Sequence, residues 1–186
     1  MPNWCNNNIT ISGPTDKIKK LREDAQTANR YTVMEDDVEV EKVGFGLLEA
    51  MVPIGDWDYG TAVETWGTKW DINDEGLELI EVSEDIAEIT GWFDSAWSPP
   101  IGAYERFIEK NEDCEISASY YEMGMDFAGF WDGEDEYLEN LHEEYEQPED
   151  ERSDLFNRLD EEWGLSEQFA EWDDFEEMDD SNDGES

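Results

Sequence analysis

Residues 4–13 (WCNNNITISG) alternate polar and apolar positions and stop at a glycine, the pattern of a strand with one buried face. Thr15 follows as a helix cap, and Ile18, Leu21 and Ala25 recur at helical spacing, predicting a helix through about Ala28. Residues 31–75 hold no sustained period; Gly and Trp are frequent there, and only 46–51 suggests a short helix. Residues 76–82 (GLELIEV) and 87–95 (AEITGWFDS) read as a pair of strands. Ser98-Pro99-Pro100 opens a helix that runs to about Lys110, proline being tolerated in a first turn. Residues 114–121 (CEISASYY) alternate again, and 126–132 (DFAGFWD) read as a partner strand after a turn at Gly124.

That order predicts an α+β protein of the ferredoxin-like, split βαβ kind. Its antiparallel sheet would carry two helices on one face, with the fourth core strand antiparallel beside the first. Cys5 and Cys114 each begin one of those neighbouring strands, so they are expected at opposite ends and not in a disulfide. The expected first domain is 1–132, with the Trp/Gly-rich insertion at about 31–75.

After Gly133 the period changes. Leu138, Leu141 and Tyr145 stand at helical spacing over 134–145. Ser153 can cap a helix with Leu155, Phe156, Leu159 and Trp163 on one side. Ser166 can cap a third, with Phe169 and Trp172 inward and Phe175 near the same stripe. Residues 133–178 are thus expected as acidic amphipathic helices lying on the sheet or on a partner, with 179–186 a frayed tail.

Charge changes the picture most. The chain has 53 acids against 11 bases, a formal net charge of −42, yet its 9 Trp, 7 Tyr and 8 Phe are far more than a disordered polyanion carries. Solubility alone asks for a net charge of roughly 2–8 in a small domain, and the excess opposes compaction. A folded chain of this mass exposes about 9,000 Å², so a net charge of −42 spread over it has about half the charge density of DNA. Residues 132–186 hold 25 of the acids and only two bases, Arg152 and Arg158, so the density there approaches that of a nucleic acid. Lys17, Lys19, Lys20 and Arg22 form the one locally basic stretch. No apolar run is long enough for a membrane span, the N-terminus lacks a signal-peptide pattern, and two cysteines without a CxxC fit a reducing cytoplasm.

Four motifs occur in order: Met1-Pro2-Asn3-Trp4-Cys5-Asn6-Asn7, Trp66-Gly67-Thr68-Lys69-Trp70-Asp71, Phe93-Asp94-Ser95-Ala96-Trp97-Ser98-Pro99-Pro100, and Tyr121-Glu122-Met123-Gly124 with Phe127-Ala128-Gly129. Together they resemble the YubB-type ferredoxin-like family of phages and conjugative plasmids, over roughly residues 1–131. The resemblance implies the ferredoxin-like fold and a mobile-element origin, and carries no catalytic residues with it. The acidic segment from 132 onward lies outside the shared pattern as the resemblance draws it.

Catalytic and metal chemistry find little to work with. Lys69 between Trp66 and Trp70 suits a clamp for a phosphate or base, but the favoured reading has the tryptophans packing the insertion while Lys69 pairs with an acid such as Asp71. Asp71–Gly76 opens like a calcium loop, yet position 12 is Val82, so a turn before a strand is the better account. Asp179–Gly184 ends before such a loop can close. His142, the single histidine, is expected solvated on an acidic helix. No Gly-rich phosphate loop is present, and neither catalytic residues nor a cofactor nor a metal site is expected.

The expected function is therefore binding: a polyanionic DNA mimic, acting as an inhibitor against the basic groove of a host DNA-binding or defence protein. The contact acids would be Glu134, Asp135, Glu136, Glu139, Glu143, Glu144, Glu161, Glu162, Glu167, Glu171, Asp173, Asp174, Glu176 and Glu177. Rows such as Glu139/Glu143 and Glu167/Glu171, one helical turn apart, would space charge about 5–6 Å apart, comparable with phosphates. Direct nucleic-acid binding is opposed by repulsion from the phosphate backbone. The alternatives are an acidic interaction module with a partner that does not bind DNA, or a halophilic surface.

Overall fold

The computed structural model describes residues 3–35 and 37–172. Strand β1 (Trp4–Pro14) buries alternate residues, as its period demands: Cys5, Asn7, Ile9 and Ile11 face inward. Helix α1 (Thr15–Ala25) follows directly and lays Ile18, Leu21 and Ala25 on that face. It ends one turn earlier than the pattern suggested, and Thr15 makes no cap bond; Pro14 holds the cap position.

The insertion is not irregular. It contains the hairpin β2 (Asn29–Glu35) and β3 (Val38–Gly44), then α2 (Leu47–Met51) and α3 (Tyr59–Trp66). The hairpin forms its own two-stranded sheet with Val33 opposite Val40, and both of its faces are largely wet. A ribbon that buries neither face has no strong alternation to reveal it.

Strands β4 (Leu77–Glu81) and β5 (Ile86–Ala96), helix α4 (Ile101–Lys110) and strand β6 (Glu115–Glu122) complete the split βαβ core. Strands β7 (Phe127–Trp131) and β8 (Asp135–Glu139) extend it into one antiparallel sheet of order β4-β5-β1-β6-β7-β8. The ferredoxin-like α+β architecture is thus present, with β6 antiparallel beside β1. Gly13, at the far end of β1 from Cys5, abuts the Cys114 sulfur; both thiols are free and buried.

Two cores share the sheet. On one face α1, α2, α3 and α4 cover Ile9, Ile11, Ile89, Ile116, Ala118 and Trp131. On the other, α5 (Leu141–Glu146), α6 (Asp154–Trp163) and the helical residues 165–172 cover Tyr121, Ala128 and Leu138 with Leu141, Phe156, Leu159, Leu165 and Phe169. The acidic helices therefore dock on the sheet, over its β6–β8 half and opposite α1.

One helix expected there is a strand. Residues 135–139 pair with β7, Leu138 opposite Ala128, and only 141–146 is helical. Leu138 and Leu141 fit a helical stripe by spacing, but Asn140 adopts a left-handed turn (φ 59°) that breaks it. An edge strand carrying Asp135, Glu136 and Glu139 also discourages edge-to-edge pairing with another chain.

Candidate functional site

The acidic layer is held rigid by its own polar groups. The Ser153 hydroxyl accepts from the Phe156 N–H at 3.1 Å and starts α6, and Gly164 (φ 63°) ends it in the left-handed conformation. The Asp160 carboxylate accepts from the Ser166 N–H and hydroxyl, at 2.6 and 2.7 Å, bending the chain into the next helix. The Arg152 guanidinium donates to the carbonyls of Tyr145 (2.6 Å) and Gln147 (3.2 Å) and to the Ser166 hydroxyl (3.1 Å), and lies 5.3 Å from the Tyr145 and Phe156 rings. Arg158 pairs with Glu136 and covers the Phe130 ring at 4.3 Å. Both cations of the segment are therefore engaged within the fold.

The expected contact acids divide accordingly. Glu134, Glu139, Glu143, Glu161, Glu167 and Glu171 are exposed. Asp135 accepts from the Tyr120 hydroxyl at 2.6 Å, Glu136 holds Arg158, and Glu144 accepts from the Ser153 N–H at 2.9 Å. Glu162 accepts from Ser119 and Asn8. Glu139 and Glu143 do not form a helical row, because Glu139 belongs to β8. Glu167 and Glu171 do lie one turn apart on one helix. Trp172 is exposed, not inward. Asp173, Asp174, Glu176, Glu177, Phe175 and the tail 179–186, with its Asp179–Gly184 run, lie outside the described residues. His142 is half-buried rather than solvated, with its ring 5.2 Å from Phe169 and 6.1 Å from Tyr145.

A second feature was not anticipated: the four motifs meet at one end of the sheet. The Asn7 amide donates to the Ser95 hydroxyl at 2.9 Å, and Ser95 passes a bond on to the Ser98 carbonyl at 2.7 Å. The Ser98 hydroxyl donates to Gly67 O, the Thr68 hydroxyl to Ala96 O at 2.9 Å, and the Trp97 N–H to Asn3 O at 3.0 Å. Glu122, nearly buried, accepts from the Asn3 amide and from the N–H groups of Gly124 and Met125. Trp97 holds φ at 75° with its indole half exposed, a conformation few bulky residues adopt.

Beside this network lies a cleft of about 510 Å³. It exists because β4 pairs only with residues 87–91 of β5: the Trp92 N–H still donates to Gly76 O at 3.0 Å, but beyond it residues 93–95 have no strand neighbour on that side among the described residues, and residues 70–75 line the gap. Gly91 (φ 138°) permits that junction: a Cβ there would sit 1.8 Å from the Gly76 carbonyl oxygen. Four indoles line the cleft, Trp4, Trp70, Trp92 and Trp163, with the carboxylates of Asp94 and Glu75. The Trp4 and Trp70 centroids are 5.9 Å apart, and Trp92 meets Trp163 edge-on at 4.6 Å. The sequence motifs contain Trp4 and Trp70 but neither Trp92 nor Trp163, so they could not reveal the assembly, and Trp163 comes from the acidic layer.

The Trp-Gly-Thr-Lys-Trp-Asp motif divides its labour. Trp66 is buried and its indole N–H donates to Val52 O at 2.8 Å, so it packs the insertion as expected. Lys69 lies over the Trp70 ring at 4.3 Å, and Asp71 is not its partner. Asp71 instead accepts from the N–H groups of Leu48 (2.8 Å), Glu49 (3.0 Å) and Ile72 (2.8 Å), fixing α2 and the following turn. Burial nevertheless pushes its carboxyl up to about 6, helped by the nearby Glu49 charge.

The basic face of α1 is already paired: Lys17 with Asp113, Lys19 with Glu81, Lys20 with Asp24 and Arg22 with Asp74. Among the described residues no group of three or more His, Cys, Asp or Glu is placed to hold a metal, and no helix is long and apolar enough to cross a membrane.

Residues 65–180 match the family model described as the ferredoxin-like domain in Api92-like protein. The match runs from the end of α3 through the acidic layer, so that layer lies inside the matched domain rather than beyond residue 131. No curated protein and no solved structure matches the chain.

Proposed function

We propose that this chain, which belongs to the family of ferredoxin-like domains in Api92-like proteins, is a polyanionic binding protein that occupies the basic groove of a DNA-binding protein in place of DNA. The observation that carries this reading is the outer face of the C-terminal layer. Glu143, Glu161, Glu167 and Glu171 stand exposed there, while Arg152 and Arg158, the only bases of 132–186, are engaged within the fold. Glu167 and Glu171 have the spacing of about 5–6 Å given by one helical turn, comparable with successive phosphates.

The buried cluster beneath makes this charge a fixed surface rather than a solvated tail. A fixed array loses little entropy on docking, and a net charge of −42 steers a basic partner toward it. The same charge repels nucleic acid, and the cations of α1 already lie against carboxylates, so the chain competes with DNA instead of holding it. No catalytic step is part of this reading. With the phage or plasmid origin implied by the YubB-type resemblance, the partner would be a host DNA-processing or defence protein.

The test is capture of partners from host extract on the immobilised chain, eluted with duplex DNA at constant ionic strength. The expected result is a DNA-binding protein that leaves the chain as DNA is added. A partner that stays bound through the DNA step, and leaves only with salt or denaturant, would replace this reading with that of an acidic interaction module.

A further inference from the structure

The cleft at the open edge of β5 combines three properties that seldom coincide. Its walls are indoles, and Trp4 and Trp92 remain 46% and 49% exposed, so broad aromatic faces are presented to whatever enters. Its polar groups include the carboxylates of Asp94 and Glu75 and the amide of Asn6, and none of the residues lining it is a lysine or arginine. Its volume, about 510 Å³, is that of a site for a side chain or small ligand rather than a gap for a water.

Aromatic faces attract cations through the ring quadrupole, and carboxylates at the rim complete the charge. We propose that the cleft formed by Trp4, Trp70, Trp92, Trp163, Asp94 and Glu75 is a binding site for an arginine side chain of a basic protein partner. Arginine fits better than lysine because its guanidinium is planar, weakly hydrated and able both to stack on an indole and to bond a carboxylate through two N–H groups. Asp94 and Glu75 are both exposed, so their carboxylates are open to an arriving cation.

Trp163 ends α6, so the cleft is built jointly by the ferredoxin-like core and the acidic layer. An arginine seated there would anchor a partner whose other cations face the acidic helices. The site rests on the proposed preference for a basic partner but not on that partner being a DNA-binding protein.

The test uses the full chain with nitrogen-15-labelled tryptophan, titrated with N-acetyl-arginine N-methylamide at about 0.15 M salt, where long-range attraction is screened beyond about 8 Å. The indole N–H signals of Trp4, Trp70, Trp92 and Trp163 are expected to shift and saturate, while the equally exposed Trp57 and Trp172 stay in place. The lysine analogue should bind at least about threefold more weakly, and Asp94→Asn should weaken the arginine compound by a similar factor. Asp94→Asn preserves size, and Trp92→Phe provides a second variant that keeps a ring in the wall. Uniform shifts across all exposed indoles, or equal binding by the Asp94→Asn chain, would overturn the site. Because the probe is a single amino acid, its failure leaves DNA competition by the acidic layer to stand or fall separately.

Discussion

The Ser119 hydroxyl donates to the Glu162 carboxylate at 2.6 Å, and the Asn8 amide reaches the same oxygen at 2.8 Å. An acid of the outer layer is thereby bonded to two central strands of the sheet. Glu162 looks like one more unit of surface charge in the sequence, but it is a fastening. Its neighbour Glu161 is an exposed acid that the structure does not use.

Their substitutions should therefore differ in kind. Glu162→Ala removes a charge-assisted bond from Ser119 and Asn8, and should lower stability by about 1 kcal/mol, at the low end for such bonds because the site is partly open to water. Glu161→Gln should stay within about 0.5 kcal/mol, with any change toward greater stability. Urea midpoints of the two variants at one pH measure the contrast; equal midpoints would mean the fastening contributes nothing.

Asp71 gives a pH signature. Its folded carboxyl titrates near 6 against an ordinary value of 3.8, so the folded state binds the proton more tightly than the unfolded chain does. Its contribution is fully present below about pH 4 and is lost as pH rises through 6. The stability of the natural chain relative to Asp71→Asn should fall between pH 4 and pH 7, by at most about 3 kcal/mol. Chemical denaturation of both proteins at the two pH values reads this; a difference that is flat with pH would contradict it.

The acidic layer should unfold with the sheet rather than before it. Phe156 is fully buried between α6 and β6–β7, and Phe156→Ala should cost about 3–5 kcal/mol. Tryptophan fluorescence and far-ultraviolet circular dichroism should report one coincident transition in both proteins. An early transition by one probe alone would show the layer to be a separate unit.

Added salt should raise thermal stability. With −42 on the chain and exposed ion pairs of small net worth, screening relieves more repulsion than attraction. The melting temperature should rise by several degrees between about 0.05 and 0.5 M sodium chloride, from a state already folded at low salt. A chain that folds only in molar salt would instead carry the charge as halophilic adaptation.

Much of the fold was legible because it obeys two periods. The alternation of β1, the stripe of α1 and the proline-opened α4 each report one buried face, and together they give the split βαβ order. The hairpin β2–β3 was not legible, because it buries neither face. β8 read as helix because Leu138 and Leu141 happen to fit a helical stripe; the turn at Asn140 lies between them. Of the acids, the charge excess of 132–186 was plain from composition, but which carboxylates are fastenings depends on distant donors such as Tyr120, Ser119 and Asn8. The tryptophan cleft was least legible, since its walls come from four separate stretches of chain.

The central claim is that the acidic layer takes the place of DNA on a basic partner. The most direct measurement is the fluorescence anisotropy of labelled duplex DNA bound to the captured partner, as this chain is added at fixed salt. The account predicts full displacement of the DNA by the natural chain. It predicts displacement weakened by about tenfold or more for the variant carrying Glu143→Gln, Glu161→Gln, Glu167→Gln and Glu171→Gln, as expected when several closely facing charges are lost together. DNA that stays bound in a ternary complex, or a fourfold variant that displaces it as well as the natural chain does, would contradict it.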